Sequence, residues 1–201
     1  MFVLLISFTD VYGESMSAFL FFYNFAIFGV MFLANVMSYE GNYIDGLLTR
    51  KESIYTLLLA KFYLYSVMML IPMILMIPAM VMGKSSFLHC LSWVIFVSGF
   101  VYFLFFQVVV YNKNPLPLNK KLTARLNTNG MQQVISLAVF AIPLMLRFGL
   151  EAFFERWVVD LIFIGIGLAF IITHRLWIRN VYRRFMAKKY VQLEGFRSTR
   201  E

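Results

Sequence analysis

Charge is scarce in this chain of 201 residues: only 14% are Asp, Glu, Lys or Arg, against about 25% in an average soluble domain. So little polar surface cannot coat a water-soluble globule. An intrinsically disordered chain is excluded too, because that state needs high charge and low hydrophobicity. Cysteine is nearly absent. Cys90 alone can form neither an intramolecular disulfide nor a Cys-x-x-Cys metal or redox site. The only histidines are His89 and His174. There is no HExxH and no GxSxG, so no hydrolase signature is present. No repeat of 20–50 residues and no low-complexity tract interrupts the chain.

What is there is hydrophobicity. Hydrophobic residues make up 61% of the chain and aromatics 18%, and the mean hydropathy is +0.77. The apolar residues form continuous runs, and about 20 helical residues cross a hydrocarbon core. Five stretches are expected to cross: 16–37, 56–82, 87–111, 133–146 and 157–177. They are read as helices because a helix satisfies its own backbone in lipid, and the alternation of a β-barrel is missing. The expected fold is all-α, a polytopic transmembrane helical bundle in one domain over 1–201. Residues 1–8, MFVLLISF, lack the basic flank and cleavage site of a signal peptide. They are expected to be the stump of an earlier span, which makes the chain the C-terminal part of a longer protein. Pro72, Pro78 and Pro143 are expected to kink their helices.

Orientation follows from Lys and Arg. Fifteen of the 18 bases fall on one side. They lie in loop 38–55 with its flank, in loop 112–132, and in the tail 178–201 with its flank. The other side holds only Lys84, Arg147 and Arg156. The fifteen-base side is expected to be cytoplasmic, with the C-terminus inside. The turn 83–86 and the loop 147–156 then face outward.

Chemistry-bearing residues are few. Gly83, Lys84 and Ser85 look like the end of a phosphate-binding loop, but Pro78 stands where the motif needs its first glycine. His89 and Cys90 are neighbours and point about 100° apart on a helix, a poor chelating geometry, so they read as an interfacial pair. His174 reads as a structural residue in the last turn of the fifth span, favoured by the helix dipole. Asp160 lies three residues past Trp157, close to the outer interface, and is expected to snorkel or to pair with Arg156. No catalytic, cofactor or metal site is expected. The tail RLWIRNVYRRFMAKKY mixes bases with aromatics as nucleic-acid patches do. It directly follows a span on the basic side, so the expected partner is membrane lipid and not nucleic acid. Asn24 and Gln107 either hydrogen-bond between helices or line a path through the bundle.

The most informative segment is SYEGNYIDGLLTRKESIYTLLLAKFYL, residues 38–64. Tyr43, Ile44, Leu47 and Leu48 share one helical face, with Asn42, Asp45, Thr49 and Arg50 mainly on the other, so 41–53 reads as a short amphipathic helix at the membrane surface. Ser53 suits the cap of the next helix, and Lys61 is expected to snorkel from its first turns. Glu40 and Gly41, then Asp45-Gly46-Leu47-Leu48, a polar break, Ser53 and Lys61 resemble the cytoplasmic loop of type-2 ABC transporter permeases. The closing stretch KKYVQLEGFR and the Asn-rich loop 112–130 look similar to an uncharacterised permease-like family of Bacteroides-type bacteria. In place of a proline before the Ser, this chain has Lys51 and Glu52.

The resemblance implies a bacterial inner-membrane permease subunit of an exporter. Glu40, Gly41, Tyr43, Ile44, Asp45, Gly46, Leu47 and Leu48 would dock a separate cytosolic ATP-binding cassette ATPase, and a second permease half would complete the path. The competing expectation is a membrane scaffold or assembly protein with no ATPase partner.

Overall fold

A computed structural model describes residues 14–28, 33, 37, 40, 46, 53–83, 85–108, 110–111 and 130–190. Among these residues every regular element is a helix and none is a strand. The helices are α1 (Glu14–Phe28), α2 (Ser53–Met68), α3 (Leu70–Leu75), α4 (Ile77–Val81), α5 (Phe87–Phe96), α6 (Tyr102–Val108), α7 (Gly130–Glu151), α8 (Arg156–Ile172) and α9 (His174–Ala187). A buried π-helical segment, Val97–Val101, joins α5 to α6.

Two helical stretches are long and apolar enough to cross a membrane, Ile54–Leu75 and Phe87–Val108. A third is added if Arg156–Ile172 and His174–Ala187, bent by 57°, count as one span. Of five expected crossings, two or three therefore meet the requirement among the described residues. The described part of the first ends at Phe28 after 15 residues. The fourth, α7, is longer than expected. It runs 22 residues through Pro143 to Glu151, so 147–151, expected in an outer loop, are helical. The fifth is not straight: it breaks at Thr173.

The prolines explain where the second stretch is segmented. Pro72 cannot bond the Met68 carbonyl, and α2 ends at Met68; Pro78 cannot bond the Ile74 carbonyl, and α3 ends at Leu75. At the first break the Met69 N–H turns to the Ser66 carbonyl, 3.3 Å away. The Tyr102 hydroxyl of α6 takes the Tyr65 carbonyl instead, at 3.1 Å. A backbone acceptor released by one helix is thus satisfied by another, as an apolar surround demands.

The α5–α6 stretch runs alongside α8–α9 in the same direction. Phe96 stacks on Phe163 with ring centres 4.3 Å apart, Phe103 meets Phe170 at 4.9 Å, and Phe106 meets Trp177 at 5.4 Å. Between the first two rungs the backbones almost touch. A Cβ on Gly99 would lie 2.2 Å from the Gly167 carbonyl oxygen, and one on Gly167 would lie 2.5 Å from that of Ile95. Only glycine permits this approach, and the π-helical register of Val97–Val101 aims Gly99 at it.

Other rings fix the remaining directions. Tyr55 of α2 meets Tyr182 of α9, and Phe62 meets Trp177, so α2 starts where α8 ends. Phe22 of α1 packs on Trp93 of α5 and on Phe140 of α7. Arg147 near the end of α7 meets Asp160 near the start of α8, so these two helices are antiparallel. The bundle therefore has two distinct ends. One carries the starts of α5 and α8 and the turn 152–155. The other carries Glu40, the start of α2 and the basic helix α9. The central α5–α6 stretch is mostly buried, whereas the α2–α3 stretch is mostly exposed and forms a flank.

Candidate functional site

Two polar constellations stand out in this apolar bundle, one at each end. At the turn end, α5, α7 and α8 bring together His89, Ser92, Arg147 and Asp160. Ser92, Arg147 and Asp160 are buried. Arg147 Nη1 donates to Asp160 Oδ1 at 2.7 Å, and its Nε donates to Glu151 at 2.8 Å, one turn on along α7. The Ser92 hydroxyl has two acceptors in reach, Asp160 Oδ1 at 2.9 Å and the His89 carbonyl at 2.8 Å. His89 Nδ1 lies 3.1 Å from Asp160 Oδ1. The guanidinium also sits over Trp93 and Phe163, about 5.5 and 5.4 Å from their ring centres.

The His89 tautomer follows from its neighbours. Trp93 Nε1–H can only donate, and it approaches His89 Nε2 at 3.3 Å, so Nε2 accepts. The ring proton then sits on Nδ1 and points to Asp160. The Arg147 Nη2 contact with Nδ1 at 3.2 Å thus brings two donors together and is not a hydrogen bond.

Serine, histidine and aspartate together invite comparison with a hydrolase triad. The geometry is different. Here the hydroxyl meets the carboxylate directly, and the far imidazole nitrogen is occupied by tryptophan, so no base is aimed at the hydroxyl. What the cluster does is hold three helix ends together through a compensated buried charge pair.

This cluster corrects three expectations. Asp160 is not a snorkelling residue paired with Arg156: it is buried and bonded to Arg147. Arg147 is not an outer-loop base: one further turn of α7 aims it inward. His89 is not merely an interfacial neighbour of Cys90, since it bonds a carboxylate 71 residues on. One local signal in the sequence does point to this pair. Arg147 and Asp160 are opposite charges flanking a short turn between two apolar runs, which lets them meet across an antiparallel pair.

At the other end, Glu40 and Lys61 form an ion pair at 2.9 Å, both partly shielded from solvent. These are the outer residues of the permease-like motif, and α2 begins at Ser53 between them. Lys61 is therefore engaged by a carboxylate where snorkelling was expected. Gly46 is helical and exposed. Gly41, Tyr43, Ile44, Asp45, Leu47 and Leu48 lie outside the described residues, as do 1–8 and the loop 112–129.

Of the two polar candidates within the spans, Gln107 of α6 accepts a hydrogen bond from Arg184 of α9. Asn24 of α1 is buried, and its Nδ2 has no hydrogen-bond partner among the described residues. His174 stands at the start of α9, not in the last turn of a continuous span. Its Nδ1–H donates to the Ile171 carbonyl at 2.6 Å, leaving Nε2 to accept from the Tyr63 hydroxyl at 2.8 Å. At the same bend Thr173 Oγ1 donates to the Ala169 carbonyl at 2.7 Å and Trp177 Nε1 donates to the Phe170 carbonyl at 2.9 Å. Three carbonyls at the end of α8 are thus bonded by side chains, which allows the 57° turn without orphaned acceptors.

Among the described residues, the fold and its two constellations are all-helical, with two or three helices apolar enough to cross a membrane, a charge clamp at one end and a basic amphipathic helix at the other. The chain belongs to a family of unknown function, DUF5687, whose model matches residues 1–199. No curated protein and no solved structure matches it.

Proposed function

We propose that this chain is a membrane-spanning permease component of an ABC-type exporter, driven by a separate cytosolic ATPase. The observation that carries the reading is the Glu40–Lys61 ion pair. It ties together the two ends of the segment that resembles a type-2 permease coupling loop. A loop clasped at its base to the helix that follows can pass a push on residues 41–53 into α2. Gly46, helical and exposed, fits a ledge that a partner can reach.

The opposed directions of α2 and α7 against α5–α6 and α8 suit a topology in which the basic end is cytoplasmic and the C-terminus is inside. Exposed Phe153, Phe154 and Trp157 at the opposite end suit the aromatic belt of an outer interface. The membrane in this reading is the bacterial inner membrane. A second permease half, identical or related, completes the path, and Asn24 is the buried amide available to line it. ATP hydrolysis belongs to the partner and not to this chain.

The test is co-purification of the full chain with a nucleotide-binding subunit. Leu47→Asp places a charge on the apolar face of the docking segment and is expected to abolish the association. Retention of the ATPase by that variant counts against the docking assignment. Absence of any ATPase from the wild-type preparation favours a membrane scaffold instead.

A further inference from the structure

Helix α9 presents two different faces. Trp177, Ile178, Val181 and Phe185 are buried against the bundle. The opposite face carries Arg175, Arg179 and Arg183, spaced four residues apart and all exposed. The three lie on one line along the helix, since four residues advance only about 40° around it. None of their side chains makes a hydrogen bond or an ion pair among the described residues. No acidic residue occurs between His174 and Tyr190, so nothing local neutralises them. The two further bases nearer the bundle behave differently: Arg184 bonds Gln107, and Lys188 lies 4.9 Å from the Tyr111 ring centre.

Apolar groups are exposed on α9 at Leu176 and just outside its ends, at Ile172 of α8 and at Tyr190. Leu176 is 71% exposed, Ile172 is 77% exposed, and Tyr190 is 72% exposed. A surface that interleaves guanidinium groups with bare aliphatic and aromatic side chains suits neither bulk water nor a protein core. It suits the headgroup region of a bilayer, where phosphates meet the first methylenes. The 57° bend turns α9 away from the axis of α8, and the side-chain bonds at Thr173, His174 and Trp177 hold it there.

We propose that α9 is a binding site for anionic phospholipid, with Arg175, Arg179 and Arg183 engaging headgroup phosphates and Leu176 and Ile172 contacting the adjoining acyl chains. The inference rests on the membrane placement of the basic end, not on any ATPase. The occupant is a lipid and not a soluble anion, because the bases lie beside apolar side chains that free phosphate leaves in water.

The experiment uses the full chain in neutral detergent. Native mass spectrometry counts retained phosphatidylglycerol against phosphatidylcholine, and thermal unfolding is followed with each lipid added. The wild type is expected to retain phosphatidylglycerol preferentially and to unfold at a higher temperature with it. Arg175→Gln/Arg179→Gln/Arg183→Gln is expected to reduce that preference by up to about a hundredfold, from the usual gain per base near an anionic surface. The same three positions changed to Lys are expected to keep most of it, which separates lost charge from lost folding. Equal retention of both lipids by the wild type overturns the proposal, as does an undiminished preference in the Gln variant. Displacement of the lipid by millimolar inorganic phosphate overturns the choice of a lipid occupant. Co-purification of an ATPase is unaffected by these outcomes, so the two proposals fail separately.

Discussion

Arg147 and Asp160 meet at 2.7 Å across a helical hairpin where α7 gives way to α8, both buried, with the guanidinium over the Trp93 and Phe163 rings. They are thirteen positions apart in sequence, and the turn 152–155 brings them face to face. Removing one partner strands the other charge in an apolar surround. Arg147→Met is expected to cost about 3–5 kcal/mol of stability, whereas adding Asp160→Leu to it is expected to restore most of the loss. Unfolding of the four members of the double-mutant cycle in detergent measures this, and simple additivity contradicts the pairing.

The glycine crossing predicts a contrast within one helix. Gly167→Ala puts a methyl 2.5 Å from a backbone oxygen that cannot rotate aside, whereas Gly165→Ala meets nothing within 4 Å. The first is expected to cost about 1–3 kcal/mol or more through forced separation of α5 and α8. The second is expected to be neutral or to stabilise by up to about 1 kcal/mol, because alanine is the better helix former. Melting temperatures of the two single variants decide it.

The clasp at the opposite end is testable by charge exchange. Glu40→Lys and Lys61→Glu are each expected to speed tryptic cleavage at Arg50 and Lys51 several-fold. The double exchange is expected to slow it again. The pair is partly solvated, so its worth to global stability is only about 1 kcal/mol or less, and local protection is the sensitive readout.

At the bend, Trp177→Phe keeps an aromatic ring against Phe103 and Phe106 but removes the N–H that serves the Phe170 carbonyl. A loss of about 1–2 kcal/mol is expected from the unsatisfied acceptor. Unchanged thermal unfolding would mean that the carbonyl finds another donor, with Thr173 Oγ1 at 3.4 Å the nearest candidate.

The helical class was readable from apolar runs alone, since a continuous apolar stretch in lipid has one way to satisfy its backbone. Segmentation of the second run was readable from Pro72 and Pro78. The length of α7 was not. Arg147 looked like the end of a span because a charge ordinarily marks an interface, and only Asp160 on the neighbouring helix makes its burial tolerable. The role of His89 is hidden for the same reason: its partner lies 71 residues away, beyond any local window. The break at Thr173 has no proline or glycine to announce it. It depends on three side chains that happen to reach three carbonyls.

Composition and order along the chain determined that this protein is helical and apolar, because each of those properties is a sum over local residues. Tertiary structure alone decided that Arg147, Asp160, His89 and Ser92 form one cluster, that Gly99 and Gly167 are crossing points, and that Glu40 closes on Lys61. Each of these is a pairwise distance between helices, and a distance across a bundle is set by packing, which no single stretch of sequence contains.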